Sequence, residues 1–307
     1  MILSAFGATI VVFALSRAAG DPLLLYAKPG GYGITEEARA ALSKKLGLDH
    51  NVVVQYFIWA GQTLRGDLGR SLIDESLVTK IIGEKIGGSL QLGFAGWVFA
   101  TLLGVPLGII SAVRRGSIWD YLGRGIAIMG QGVPAFWIGI MMVLLFAVAL
   151  DWLPTGTRGR YEGFPLAWGN VKYFVLPTIS LGWFAAATYL RITRSAMLEV
   201  LDSEYLVLAR AKGVSSRAVI WKHAFRNALI PTLTVSSLVM AGLITGSVVT
   251  EAVFAWPGMG RLAVQAVIDN DFPILSAAVL FWVGIFVGVN FITDLLYAVV
   301  DPRIRYS

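Results

Sequence analysis

Cysteine is absent from this sequence of 307 residues, and histidine occurs only twice, at His50 and His223. Without cysteine the chain can form no disulfide bond and no thiolate metal site. Two histidines also disfavour a metal centre built from imidazole groups. Charged residues make up only 14% of the chain, against about 25% in soluble domains. This shortage argues against a soluble protein.

Signatures of nucleotide binding and catalysis are missing as well. The sequence has no G-x-x-x-x-G-K-[ST] phosphate loop, no H-E-x-x-H zinc motif and no G-x-S-x-G nucleophile motif. We therefore expect a chain that is not an enzyme, binds no cofactor itself and must draw any energy from other subunits. The net charge of +6 is modest, and in so apolar a chain it indicates basic loops rather than nucleic-acid binding.

Apolar residues are abundant: they make up 56% of the sequence and raise its mean hydropathy to +0.71. Their long runs predict an all-α integral membrane protein. We predict six transmembrane helices, at residues 2–16, 89–113, 126–150, 174–190, 229–253 and 274–300. The first run is short against the roughly 20 residues that a span needs. A signal peptide is the alternative there, but the run lacks a basic start and a clear cleavage site.

A charged insertion, residues 18–87, lies between the first two predicted spans, and its pattern predicts mostly helical structure. Thr35 precedes two glutamates and can cap one helix, and Asn51 begins a second helix. The turn sequence GDLGRS starts at Gly66, and Val78–Lys85 is predicted to be helical again. We expect most of these residues to serve packing and some to form a contact surface for another protein.

Charge in the short loops predicts the orientation of the chain. Loops after the second and fourth spans carry net charges of +2 and +4, whereas those after the third and fifth carry +1 and −1. Because cytoplasmic loops are richer in Lys and Arg, both termini are predicted to be cytoplasmic and the insertion extracytoplasmic. The insertion is left out of this count, since long domains translocate regardless of their charge.

The most basic of these loops contains a helical segment that runs from Asp202 to Pro231. Asp202 or Ser203 can cap a first helix, Gly213 should end it in a left-handed conformation, and Ser215 can cap a second helix. Two short helices around a glycine bend are too ordered for a simple tether and indicate a surface that another protein contacts. The alternative is an amphipathic helix whose basic residues meet anionic lipid.

Several stretches resemble the permease subunits of ABC importers. The run ARAKG, which begins at Ala209, and the run HAFRNALIP, which ends at Pro231, are similar to the branch that moves dipeptides and oligopeptides. EAVFAWPGMGRL from Glu251 is the most specific match elsewhere, and GDLG, WLPTGT and LPTISLG match as well. Val207 departs from the Glu-Ala-Ala form of the general family, which favours the peptide branch. Relatives in this branch also move nickel chelates, glutathione or sugars.

The resemblance implies a type I ABC importer permease, a single membrane domain over residues 1–307, in the plasma (inner) membrane of a bacterium or archaeon. It implies a second homologous permease, two ATPase subunits that bind ATP and Mg, an extracytoplasmic substrate-binding protein and membrane lipid as partners, and no nucleic acid. Residues 199–227 correspond to the cytoplasmic coupling segment of the family. The residues expected to contact an ATPase subunit are Ala209, Arg210, Ala211, Lys212, Gly213, Val214, Ser215, Arg217, Lys222 and Arg226.

The translocation pathway is only weakly marked. The candidates are Gln131, Pro134, Gly242, Gly246 and Asn290. A tolerated kink in a packed helix would explain Pro134 equally well. Glycine pairs spaced by four residues, at Gly104 and Gly108 and again in the fifth span, predict close helix approach. Asp294 lies near the inner end of the last span, and we interpret it as a structural ion pair or cap rather than a proton relay.

An aromatic turn is predicted at the outer end of the fifth span, formed by Phe254, Trp256, Pro257 and Gly258. The two aromatic side chains suit the membrane interface, where amphipathic rings collect. Pro257 and Gly258 are expected to make a tight turn.

A secondary transporter driven by an ion gradient is the main alternative function. Such a protein would need inverted repeats and typically a helix that is broken at the bilayer midplane. The single asymmetric insertion and the lack of acidic residues near mid-membrane argue against it. An intramembrane enzyme is a third hypothesis, but no predicted span holds a catalytic cluster.

Overall fold

Helices dominate the chain in the computed structural model, which describes residues 2–18, 43, 50–158 and 168–300. The helix expected after Thr35, the side chain of Asp294 and everything from residue 301 onward lie outside this description. The helices are α1 Ile2–Ala18, α2 Val52–Leu64, α3 Val78–Val113, α4 Ile118–Gly132, α5 Ala135–Met142, α6 Trp168–Leu201, α7 Glu204–Ala211, α8 Ser216–Ala218, α9 Phe225–Thr245, α10 Val248–Val253, α11 Met259–Ile268 and α12 Phe272–Val300. Two π-helical segments, Val143–Ala149 and Val219–Ala224, continue α5 and join α8 to α9.

Four helical stretches in the described part are each long and apolar enough to cross a membrane. They are Val78–Val113, Gly169–Leu201, Ser216–Val253 and Phe272–Thr293. The bent pair formed by α4 and the helix after it is a fifth if both halves count as one span. The chain is therefore a multi-pass helical protein, and the count of six spans stays a prediction.

Two of these helices extend further than the hydropathy pattern predicted. α3 runs for 36 residues from Val78, so the predicted short helix and the second span are one element. α6 continues to Leu201, so Arg191 and Arg194 lie on the same helix as the fourth span. Backbone hydrogen bonds hold a helix together whatever the polarity of its side chains, so hydropathy marks the membrane part and not the helix ends.

The third predicted span is broken rather than kinked. α4 ends at Gly132, and Val133 and Pro134 are extended, with ψ angles of 125° and 139°. The two halves are bent by 102°. Proline has no N–H to donate and disfavours helical backbone in the residue before it, so α4 stops and α5 begins anew. The segment is a broken span or a re-entrant loop.

The chain divides into two compact units. They are Met1–Gly87 with Gly258–Val287, and Gly88–Pro257 with Gly288–Ser307. In the second unit, glycines let α3 and α6 approach closely. A Cβ built on Gly104 would lie 2.4 Å from the carbonyl oxygen of Ala186, and one on Gly108 would lie 2.8 Å from that of Leu190. Any larger residue would push the helices apart, so the close approach predicted for this glycine pair is confirmed.

The first unit ties the loop after α2 to the start of α12. Asp271 is buried and accepts hydrogen bonds from the Ser71 hydroxyl and, at 3.2 Å, from the Leu72 N–H. Within that loop the Ser76 N–H donates to Asp74 at 3.0 Å and lowers the pKa of the Asp74 carboxyl. These bonds satisfy backbone donors that a turn would otherwise leave unpaired, and they fix the path of the loop. The predicted start of α2 is confirmed, since Asn51 Oδ1 accepts from the Val54 N–H at 2.9 Å.

Candidate functional site

The stretch between α6 and α9, residues 202–226, is called the elbow segment below. It is built around a glycine turn. α7 ends at Ala211, and Gly213 follows with a φ of +77°. The Gly213 N–H donates to the Arg210 carbonyl at 3.0 Å, and the Val214 N–H donates to the Ala209 carbonyl at 3.2 Å. This pair of bonds is a Schellman motif, so the predicted left-handed glycine is confirmed.

The underside of the elbow segment is anchored by packing. Leu206 is fully buried in a cluster with Ile109 of α3, Met197 of α6 and Val219 of the π segment. Beside it, the Tyr205 hydroxyl accepts a 2.7 Å hydrogen bond from the Asn227 side chain. α7 is therefore clamped to four other helical elements, α3, α6, the π segment and α9, and a force applied to it would reach all of them.

Hydroxyl groups at the two helix starts behave differently. Ser215 Oγ accepts from the Ala218 N–H at 3.4 Å and caps α8, as predicted. Ser203 occupies the cap position of α7, but its hydroxyl donates to the Val200 carbonyl and makes no capping bond. Asp202 forms an ion pair with Arg115 at 3.6 Å. The prediction that Asp202 or Ser203 caps α7 is correct for the position only.

The outer side of the elbow segment is exposed. Of the ten residues predicted to contact an ATPase subunit, Ala209 and Val214 are half-buried. The other eight are exposed, and they are Arg210, Ala211, Lys212, Gly213, Ser215, Arg217, Lys222 and Arg226. Large apolar side chains stand exposed among these cations, including Leu208 and Trp221. The segment thus offers positively charged Lys and Arg side chains together with exposed apolar side chains. Protein interfaces combine these two features.

The second half of the elbow segment differs from the prediction. A second short helix was expected after Gly213, but α8 has three residues and runs through the π segment into α9. From Ser216 onward, helical segments follow one another as far as Val253, with only Gly246 and Ser247 between α9 and α10. Only α7 is a separate helix, so the elbow joins two spanning helices through one short helix and one turn.

A buried ion pair lies next to the elbow segment. Asp120 at the start of α4 accepts from Arg194 Nε at 2.7 Å and from a second Arg194 nitrogen at 3.1 Å. The Ser111 hydroxyl and the Gly116 N–H also donate to it, at 2.7 and 3.0 Å. Four donors around one carboxylate are enough to offset the loss of water around its charge. The cluster joins the loop after α3 to α6, seven residues before that helix ends.

The structure gives the five pathway candidates different settings. Gln131 accepts from Arg191 at 3.0 Å, next to the break that Pro134 makes between α4 and α5. Gly246 caps the end of α9, and a Cβ on Gly242 would meet nothing within 4 Å. Asn290 lies half-buried on α12. In this chain Gly242 makes no close helix contact, which leaves its face open.

The aromatic residues of the predicted outer turn are buried, so the prediction that they lie in the membrane interface is wrong. Trp256 donates from Nε1 to the Gly88 carbonyl at 2.9 Å and packs edge-on against Phe174 at 4.6 Å. Phe254 is likewise fully buried. A buried indole needs an acceptor for its N–H, and the Gly88 carbonyl supplies it. These rings belong to the protein core. Composition alone cannot distinguish aromatic residues of the core from those at a membrane interface.

The tight turn also lies elsewhere than predicted. Gly258 has a φ of −120°, is extended and caps α11. The chain reverses at Ala255, whose φ is +48°. The Thr157 N–H donates to the Phe254 carbonyl at 2.7 Å, which joins the WLPTGT stretch to this reversal. Two stretches that resembled the family independently are thus in contact.

Sequence reasoning missed a buried carboxyl group. Glu251 is fully buried on α10 and accepts hydrogen bonds from the hydroxyls of Ser89 and Ser247, both at 2.6 Å. The sequence signal was an acidic residue at the end of an apolar run, which was interpreted as the end of the span. Among the described residues no group of three or more His, Asp or Glu side chains could hold a metal ion.

Comparisons with known proteins agree with the resemblance. The profile of the family described as binding-protein-dependent transport system inner membrane component matches residues 104–306. The dipeptide transport system permease protein DppB of Escherichia coli (strain K12) is 37% identical over 325 residues, covering 98% of this chain and 95% of that protein. An inward-facing structure of the MetNI methionine ABC transporter matches with a TM-score of 0.59 at 18% identity, covering 72% of this chain and 96% of the solved chain. At that identity the structural match supports the fold alone.

Proposed function

The chain belongs to the family of binding-protein-dependent transport system inner membrane components, and from this premise we propose that it is a permease subunit of an ATP-driven peptide importer. It would form half of the translocation pathway with a second, homologous permease. Two ATPase subunits would bind ATP and Mg, and an extracytoplasmic binding protein would deliver the substrate. The name of the dipeptide permease relative supports the peptide substrate.

The observation that carries this proposal is the construction of the elbow segment. Its outer side presents cations and apolar side chains, and its underside is locked to α3 and α6 through Leu206. Acidic and apolar residues on an ATPase subunit would complement the outer side. The left-handed turn at Gly213 brings backbone to the surface without a side chain, which lets a partner approach closely.

The elbow segment would transmit movement mechanically. A displacement of α7 would load α6 directly, since only two residues separate the helices, and would load α9 through the π segment. The Asp120–Arg194 pair would carry the same displacement to α4. Beyond that pair lies the break at Pro134, where a change in the angle between α4 and α5 would widen or narrow a pathway. Packed elements of this kind switch between discrete arrangements rather than bend continuously.

The loop charges support an orientation for the chain. The elbow segment and both termini would face the cytoplasm, where the ATPase subunits are, and the insertion between α1 and α3 would face outside. The exposed face around Gly242 offers a place where the second permease could pack. Small residues allow close approach of helices in membranes, which supports this assignment.

The energy source tests the proposal against secondary transport. Cells that express the complete importer are expected to lose peptide uptake when ATP is depleted while the proton gradient is maintained. Uptake should survive an ionophore that collapses the gradient while ATP is maintained, because the power stroke comes from hydrolysis. The opposite pattern, loss with the ionophore and survival without ATP, would overturn the proposal. A strain that lacks the binding protein serves as the control for uptake by other routes.

A further inference from the structure

α2 is an unusual helix for a segment expected in water. None of its 13 residues, VVVQYFIWAGQTL, is charged. The chain around it is charged on both sides, with Lys44, Lys45 and Asp49 before it and Arg65 and Asp67 after it. A helix on an aqueous surface normally carries charge on its outer face. Within this charged insertion, α2 is the stretch that carries no charge.

The outer face of α2 is apolar. Val53 is 64% exposed, Phe57 63% and Leu64 88%, and Val52 is exposed beside them. Isolated exposed apolar residues are ordinary, but neighbouring ones on a single helix mark a contact with another apolar phase. The opposite face packs against α1, so α2 has no free face that could carry the charges usual in a membrane-surface helix.

The contact with α1 defines the depth of α2. The Tyr56 hydroxyl bonds with the Thr9 hydroxyl at 2.8 Å, and the rings of Tyr56 and Trp59 lie 5.5 and 5.7 Å from that of Phe13. Phe13 precedes Arg17, the first charged residue of the chain, by four positions, or about 6 Å along a helix, and Thr9 precedes it by about 12 Å. α2 therefore lies beside the apolar stretch of α1 and not beyond its end.

From this geometry we propose that α2 is an interfacial membrane helix whose Val53 and Phe57 side chains lie among the acyl chains of the leaflet that α1 leaves at Arg17. Helices of this type sit about 5–10 Å below the boundary between headgroups and acyl chains, which agrees with the depth of Phe13. At about 20 Å, α2 is too short to cross the roughly 30 Å hydrocarbon core, so both polar ends return to the same surface. The Thr9–Tyr56 bond pairs two hydroxyl groups at the deeper level of Thr9.

The inference rests on one part of the proposed function, that α1 crosses the membrane. It does not depend on the substrate or on the source of energy. It changes the part of the insertion that is available to a delivery protein, because α2 is covered by lipid. The polar loop after α2, held by Asp271, remains in water.

The absence of native cysteine makes the test direct. Single variants Val53→Cys and Phe57→Cys would be compared with Ile73→Cys, an apolar and similarly exposed position in the polar loop. The variants would be expressed together with the second permease and the ATPase subunits, in intact cells that lack the binding protein, and treated with a membrane-impermeant maleimide. We expect Val53→Cys and Phe57→Cys to react at least about tenfold more slowly than Ile73→Cys, because an apolar surrounding suppresses the reactive thiolate. Denaturation in detergent should make all three equal.

A second measurement identifies what covers the helix. An environment-sensitive fluorophore on Phe57→Cys, in proteoliposomes, should be quenched by nitroxides attached near the top of the lipid acyl chains. The same fluorophore on Ile73→Cys should not be. Fast maleimide labelling at Val53→Cys and Phe57→Cys that only the binding protein suppresses would overturn the proposal in favour of protein docking. Slow labelling without quenching by lipid nitroxides would overturn it in favour of cover by another subunit.

The outcome stays separate from the proposed function. If Ile73→Cys reacts only in inverted vesicles, the orientation is wrong, and the three positions can still be compared there. Peptide uptake by the same variants shows whether transport is intact. The proposal of lipid contact and the proposal of peptide import can therefore be refuted independently of each other.

Discussion

Among single residues, Gly213 allows the most specific prediction. Its φ of +77° is unfavourable for any residue with a Cβ, at a cost of roughly 1–2 kcal/mol, and most so for β-branched residues. Asparagine tolerates this region and has a similar size to valine. We expect Gly213→Val to reduce both uptake and the ATP hydrolysis that substrate delivery stimulates, and Gly213→Asn to keep most of both.

The membrane level of the two Gly213 variants serves as the control, since a Cβ at this position meets nothing within 4 Å in the chain itself. Normal transport by Gly213→Val would show that the turn is not needed. Equal loss in both variants at normal membrane level would assign the effect to bulk at a partner surface rather than to backbone geometry.

Local residue chemistry was predictable where a few neighbours decide the outcome. The Asn51 cap, the left-handed Gly213 and the Ser215 cap depend on hydrogen bonds within five residues, and all three are confirmed. Trp256 was misjudged because its burial depends on Gly88, which is 168 residues away in sequence. Glu251 was missed for the same reason, since one of its two serine partners is Ser89, 162 residues away in sequence. Periodicity carries no information about such pairs.

At the scale of elements, the buried pair between α4 and α6 should matter far more than an exposed one. Removing one partner of a buried ion pair costs about 3–5 kcal/mol, because the other charge is left uncompensated. We expect Asp120→Asn to lower markedly the unfolding temperature of the purified permease in detergent, since Arg194 loses its partner. Asp120→Asn, the parent protein and the control variant Asp202→Asn would be measured by thermal unfolding in the same detergent.

The matched control is Asp202→Asn. Its ion pair with Arg115 is exposed to solvent on both sides, and such pairs contribute about 0–1 kcal/mol. Its unfolding temperature should therefore stay close to that of the parent protein. Equal effects of the two substitutions would contradict the assignment of the Asp120 cluster as the connection between α4 and α6.

Element boundaries were predictable only in part. Hydropathy located the apolar cores of α3 and α6 but not their charged extensions, because a helix can project from the membrane without a break. A tolerated kink was one of the two interpretations of Pro134, beside a wall of the pathway, and the structure has a break with a 102° bend there. The restriction that proline places on Val133 was visible in the sequence. The size of the bend depends on how α5 packs, which the sequence does not show.

For the whole molecule, the family membership and the helical membrane character agree with the predictions from the sequence. The described residues contain four helices that could each span a membrane, or five with the broken pair. The number of spans beyond that depends on α1, which is short, and on its relation to α2. Labelling of α2 therefore bears on topology as well as on lipid contact.

The central claim is that an ATPase subunit contacts the elbow segment, and site-specific photo-crosslinking tests it most directly. A photoreactive phenylalanine analogue would replace Leu208, which is 56% exposed on α7, and in a separate variant Trp152, which is 68% exposed beyond α5. In the assembled importer we predict an adduct between the Leu208 variant and an ATPase subunit, and none from the Trp152 variant. A Leu208 variant that still transports substrate but yields only lipid adducts, or none, would contradict the account.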